Sequence, residues 1–158
     1  MDSSNFHTFQ EYMKKDDSTL TASMEDYIEM IYRLTLKTGY TRINELSQAL
    51  NIQPPSATKM VQKLANMGYL KYEKYEVLML EEQGMEIGAW LYKRHIIIEN
   101  FMRTIGVCDS IILQETEKVE HTVSNDTSVC IEVLNKFFAD NPDIINRFTV
   151  YRAEQTKV

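Results

Sequence analysis

The chain has 158 residues, 44% of them hydrophobic, with only five glycines and three prolines, enough for one helix-rich domain or two small ones sharing an interface. No apolar run approaches the roughly 20 residues of a membrane-spanning helix, and the N-terminus lacks the charged, apolar, small-residue order of a secretory signal. A cytoplasmic protein without a membrane partner is therefore expected, and Cys108 and Cys130, lacking Cys-x-x-Cys spacing, read as reduced, buried thiols.

A net charge of −6 argues against nucleic acid only until its distribution is considered. Residues 41–75 hold Arg42, Lys59, Lys63, Lys71 and Lys74 against Glu45 and Glu73, a surplus of three, so the remainder carries −9. That gradient suits a DNA-facing module on an acidic, cation-attracting body.

In chain order, residues 1–20 form either a short amphipathic helix, with Phe6, Phe9, Tyr12 and Met13 at helical spacing, or a loose tail in which His7 has no functional role. Thr21 or Ser23 can cap a first helix that runs to about Lys37 before Gly39, with Met24, Tyr27, Ile28, Ile31 and Leu34 as its buried stripe. Thr41 opens a second helix carrying Ile43, Leu46 and Leu50. Asn51-Ile52-Gln53 is a turn, and Pro54-Pro55 starts a third helix, where first-turn amides need no partner. Met60, Val61, Leu64 and Met67 form its inner face, and Gly68 ends it. Two apolar runs, Tyr69 to Tyr72 and Val77 to Leu80, flank a charged turn at Lys74. Helix, helix, helix, hairpin is the order of a winged helix-turn-helix.

A long helix spans about Glu82 to Ile105 and stops at Gly106. Shorter helical segments follow at Ser110–Thr116, Glu117–Val123 and Thr127–Ala139, closed by Asn141-Pro142. Ile111, Ile112, Leu113, Ile131, Leu134, Phe137 and Phe138 give this stretch more apolar surface than about fifty residues can hide, which points to a homodimer. The fold class expected is mainly α: a winged helix-turn-helix with a small β-hairpin wing over 21–81, then an all-helical metal-binding and dimerisation domain over 82–145. Residues 82–106 are its linking helix, and 146–158 a C-terminal tail.

The third helix turns Gln53, Pro55, Ser56, Thr58, Lys59, Gln62 and Lys63 away from its apolar face. Gln and Lys reach base edges in the major groove, while small hydroxyl residues permit close approach to phosphate. Lys63, Arg42 and Lys74 suit backbone phosphates. An ordinary solvated helix face would look similar in isolation; the preceding helix, tight turn and following hairpin favour double-stranded DNA, read by a dimer as a roughly palindromic operator.

Six candidate metal ligands lie on either side of that unit. Asp26 and Glu29 leave one side of the first helix, and Glu117, Glu120 and His121 stand at i, i+3 and i+4; His95 lies on the long helix between them. Acids in a first turn commonly serve the helix dipole, and a lone histidine is commonly a core residue. Together, however, four carboxylates and two imidazoles make a hard set that favours octahedral Mn2+, with Fe2+ tolerated, over thiolate-bound Zn2+. No nucleophile or substrate-binding motif accompanies them, so a metallohydrolase or any small-molecule enzyme is disfavoured. A winged-helix regulator answering Fe2+, or one answering a non-metal signal with the acids merely solvated, is the nearer rival.

The stretches SMEDYIE (Ser23–Glu29), SATKMVQKL (Ser56–Leu64), YLKYEKY (Tyr69–Tyr75), RH (Arg94–His95) and EKVEH (Glu117–His121) resemble the diphtheria-toxin-repressor family, in its manganese transport regulator branch, over roughly residues 20–140. The resemblance implies a manganese-activated repressor of metal-uptake genes. It implies two Mn2+ ions per subunit, with Fe2+ or Cd2+ as substitutes: one held by Asp26, Glu117, Glu120 and His121, and one by Glu29 and His95 with the two glutamates bridging. Iron-responsive relatives place methionine at the Asp26 position and cysteine at the Glu117 position. The chain departs from the family in a longer N-terminal lead, in Glu76-Val77 at the wing turn, and in Glu81 where a hydroxyl cap is usual; no room is left for an SH3-like C-terminal domain.

Overall fold

A computed structural model describes residues 20–73 and 77–155. The pattern at Phe6–Met13 and the wing-turn residues Lys74 and Glu76 lie outside the described residues. Helix α1 (Ala22–Thr35) begins at Thr21, whose Oγ1 accepts from the Met24 amide at 3.4 Å. Met24, Tyr27, Ile28 and Ile31 are buried on one face, and Leu34, expected with them, is half-buried at the end of the stripe.

Thr41 does not open a helix. It and Arg42 form a short strand, β1, paired antiparallel with β3 (Thr41↔Leu78, Arg42↔Val77). The reason is Glu45: its Oε2 accepts from the Arg42 amide at 3.1 Å and from the Thr41 hydroxyl at 2.7 Å, so α2 (Ile43–Ala49) starts two residues later. Asn51 makes the turn with φ 53°, a left-handed conformation that asparagine tolerates. Helix α3 (Pro54–Asn66) then follows with proline in its first turn.

Strands β2 (Leu70–Glu73) and β3 (Val77–Leu80) pair antiparallel from Leu70↔Leu80 to Glu73↔Val77, so the wing is a three-stranded sheet of order β1-β3-β2. Glu81 precedes α4 (Glu82–Ile105) without capping it through its side chain; its carboxylate instead pairs with Lys71 at 2.9 Å. Helix α4, about 36 Å long at 1.5 Å per residue, ends at Gly106 with φ 87°.

The two segments expected at 110–123 are one helix, α5 (Asp109–Glu120), with His121 as its C-cap. Helix α6 (Asn125–Asp140) is capped by Ser124. Residues 146–155 are not a tail: α7 (Pro142–Gln155) continues there, because Pro142 can occupy a helix start although it ends the helix before it. Nor are the cysteines buried. Both are free and exposed, Cys108 at the N-cap of α5 and Cys130 on α6, where only Ser128 is buried within the single chain.

One core unites α1, α2, α3, the sheet and the start of α4, through Ile28, Ile31, Ile43, Leu46, Val61, Leu64, Leu78 and Leu91. The long helix is thus part of the winged helix-turn-helix before it becomes part of the C-terminal bundle. Two glycines allow this. A Cβ on Gly84 would lie 2.0 Å from the Tyr69 carbonyl oxygen, and one on Gly88 2.7 Å from Tyr32 Cβ on α1. Gly88→Ala is expected to lose about 1–3 kcal/mol in urea denaturation, because overpacking outweighs the better helix propensity of alanine. A gain in stability would mean that α1 and α4 are not pressed together at this point.

Candidate metal centre

Helix α1 carries Asp26 and Glu29, α4 carries His95, and the end of α5 carries Glu117, Glu120 and His121; the fold brings all six to one junction. His121 Nε2 lies 2.8 Å from Asp26 Oδ1 and 3.7 Å from Glu120 Oε1. His95 Nδ1 lies 2.7 Å from Glu120 Oε2 and 3.7 Å from Glu117 Oε1. Two groups result, Asp26–Glu120–His121 and His95–Glu117–Glu120, each with donor atoms within 4.8 Å of one another. Glu120 belongs to both, one oxygen toward each histidine, and is 1% exposed. Glu29 belongs to neither group: it is buried, and its carboxylate is paired with Arg33 one turn along α1.

The electrostatics are those of crowded acids. Burial and the neighbouring Glu120 push the Glu117 carboxyl up, and burial raises Glu29 in spite of the opposing Arg33. His95 is raised even though burial opposes it, because Glu120 accepts its hydrogen bond. His121 is pushed up to about 10 by its hydrogen bonds to Asp26 and Glu25. A protonated imidazole between two carboxylates is the local substitute for a cation. The donors offered are carboxylate oxygen and imidazole nitrogen, with no thiolate in either group, which fits a hard divalent metal.

The sequence reading missed the residues behind this cluster. Glu25 contacts His121 Nδ1 at 2.8 Å, and Arg94 contacts Glu25 at 2.8 Å. Their signal was position alone: each directly precedes a candidate ligand in the chain.

On the reading side, Gln53, Pro55, Ser56, Lys59, Gln62 and Lys63 are exposed along α3, while Ala57, Val61 and Leu64 point inward. Arg42 is exposed at the start of α2. Thr58 is half-buried and its hydroxyl donates to the Pro54 carbonyl at 3.0 Å, so it can only accept from an incoming ligand.

A winged helix-turn-helix whose first helix shares a carboxylate–imidazole junction with a C-terminal bundle defines a metal-responsive DNA-binding regulator. The family models described as "Iron dependent repressor, N-terminal DNA binding domain" and "Iron dependent repressor, metal binding and dimerisation domain" match residues 19–78 and 81–149. The HTH-type transcriptional regulator MntR of Lysinibacillus sphaericus (strain C3-41) is 41% identical over 134 residues, covering 85% of this chain and 96% of that protein. MntR of Shouchella clausii (strain KSM-K16) is 45% identical over 121 residues, covering 77% and 85%. The solved structure of the manganese regulator SloR superposes with TM-score 0.64 at 25% identity over 75% of this chain; the chain spans only 55% of that protein's length. The chain therefore belongs to the iron dependent repressor family: it is a metal-dependent, DNA-binding transcriptional repressor, not an enzyme, whose partners are DNA and a second copy of itself. No helix among the described residues is long and apolar enough to cross a membrane.

Proposed function

We propose that Mn2+ is the activating ion, bound at two positions per subunit, and that the protein silences metal-uptake genes in the cytoplasm through a roughly palindromic operator. Asp26, Glu120 and His121, joined by Glu117, hold one ion; His95, Glu117 and Glu120, joined by Glu29 once it exchanges Arg33 for the cation, hold the other. The single observation that carries this reading is Glu120, buried and shared between two groups that contain only hard donors. The names of the MntR relatives and of the manganese regulator SloR agree with it. Fe2+ or Cd2+ can substitute where their geometry permits.

A bound cation supplies positive charge that the buried carboxylates otherwise lack. Asp26 and Glu29 move with the reader, whereas Glu117, Glu120 and His121 move with the bundle, so ligation fixes α1 against α5. Relief of carboxylate repulsion shifts the population toward one spacing of the two reading helices in the dimer. A mobility shift with operator DNA across a panel of divalent cations tests this. Mn2+ is expected to stimulate binding at concentrations where Mg2+ and Ca2+ do not. Equal stimulation by all cations, or none by Mn2+, would remove manganese from the account.

Proton release gives a second measurement. Only neutral imidazole ligates, and in the metal-free protein His121 keeps its proton up to about 10. Binding at neutral pH is therefore expected to release at least about one proton per subunit, read from calorimetry in buffers of differing ionisation enthalpy, and affinity should rise about tenfold per pH unit between roughly 7 and 9. The stability that His121 confers on the metal-free fold runs the opposite way. It is full below the unfolded value of about 6.5 and disappears as pH rises through the folded value. Metal affinity independent of pH would place His121 outside the coordination set.

A further inference from the structure

We propose that Glu25 and Arg94 form a positioning relay that fixes the ring direction and tautomer of His121 for the cation held with Asp26 and Glu120; the inference rests on that proposed centre. Glu25 Oε2 lies 2.8 Å from His121 Nδ1, and the same oxygen accepts from Arg94 Nη2 at 2.8 Å. Glu25 and Asp26 are consecutive on α1, yet they grip opposite nitrogens of one ring, Asp26 Oδ1 meeting Nε2 at 2.8 Å. With the Nδ1 proton donated to Glu25, the Nε2 lone pair faces Asp26 and Glu120. The reversed tautomer would present a proton to the ion.

Arg94 belongs to α4 and is 7% exposed, so its guanidinium is held by packing and holds Glu25 in turn. The arrangement spans three helices: α4 braces α1, and α1 orients the C-cap of α5. His121 itself lines a recess of about 570 Å3, together with Leu20, Glu25, Arg94 and Ser124, so its ring is not enclosed on every side by packing. Among the described residues, the acceptor that meets Nδ1 is Glu25. Ligating histidines whose second nitrogen is anchored to a carboxylate follow the same logic. A plain inter-helix ion pair between Glu25 and Arg94 would not require the oxygen that meets the guanidinium to meet the imidazole as well.

The test is Mn2+ calorimetry on the full-length dimer for the parent, Glu25→Ala, Glu25→Gln and His121→Ala. Nitrogen NMR of the Cd2+-loaded parent, which is diamagnetic, reads the His121 tautomer. Glu25→Ala is expected to lower Mn2+ affinity about 10- to 100-fold. Glu25→Gln, which still accepts from Nδ1–H, should recover most of that loss, and the parent should show Nδ1 protonated and Nε2 bound to the metal. Parental affinity in Glu25→Ala while His121→Ala loses binding overturns the relay and leaves the centre standing. Parental affinity in His121→Ala overturns the centre and the relay with it. Should Glu25→Ala fail to fold, a Cd2+-loaded parent with Nε2 protonated still refutes the relay.

Discussion

Glu120→Ala is expected to abolish metal-stimulated operator binding, with a loss of Mn2+ affinity of at least about 100-fold, since removing an outer-shell partner alone costs 10–100-fold. The size of the effect follows from position. Glu120 already stands in both candidate groups as the fold brings them together, whereas Glu117 stands in one, so loss of Glu120 removes a ligand from each at once. Its carboxylate also meets His95 Nδ1 at 2.7 Å, which leaves that imidazole without its closest partner. Alanine opens space at a site 1% exposed, and some loss of stability is expected from packing alone. Glu120→Gln separates the two effects: it preserves volume and a hydrogen bond to His95 but removes the charge the cation needs. Both variants should stay folded by circular dichroism and dimeric by gel filtration, and both should bind operator equally with and without Mn2+. If Glu120→Gln responds to Mn2+ as the parent does, the shared carboxylate is a structural group and the two-ion reading fails.

The second large effect is expected on the reading helix. Lys59 and Gln62 are exposed on α3 opposite Val61 and Leu64, where they can meet base edges. Each good base contact is worth about 1–3 kcal/mol, and a dimer loses it twice, so Lys59→Ala with Gln62→Ala should weaken specific binding by several orders of magnitude while sparing non-specific binding. Lys63→Ala should behave differently. A phosphate contact carries no sequence information, so affinity should fall for all sequences together, and the slope of log affinity against log salt should flatten by about 1 per subunit. Titrations against operator and scrambled DNA at several salt concentrations distinguish these patterns. Uniform loss in the double variant would move base reading elsewhere on the surface.

Much of the architecture was legible from local rules. The stripe Met24, Tyr27, Ile28, Ile31 needs only a 3.6-residue period, and Pro54-Pro55 after Asn51 needs only turn and first-turn chemistry. Local rules failed where a side chain chose a partner distant from its cap. Thr41 reads as a helix opener until Glu45 reaches back and β3 pairs with it. Glu81, standing where a hydroxyl cap is usual, indeed makes no side-chain cap, but only the fold shows that its carboxylate pairs with Lys71 of β2. The cysteines read as buried because thiols usually are; on α6, however, the apolar residues Val129, Val133, Leu134 and Phe137 are themselves exposed on the single chain.

The candidate site divides along the same line. Residue type and spacing marked Asp26 with Glu29, and Glu117 with Glu120 and His121, as candidate ligands, because each set crowds one face of a helix whatever surrounds it; His95, a lone histidine, had no such spacing signal. How they share the work needed the tertiary structure. Packing of α1 against α4, through the gap left at Gly88, and of α5 against α4 sets Glu120 between both histidines, turns Glu29 toward Arg33, and places Glu25 behind His121. The physical reason is range. Helix periodicity acts over one or two turns, whereas the contact between Glu25 and His121 joins residues 96 positions apart and exists only once three helices are locked together.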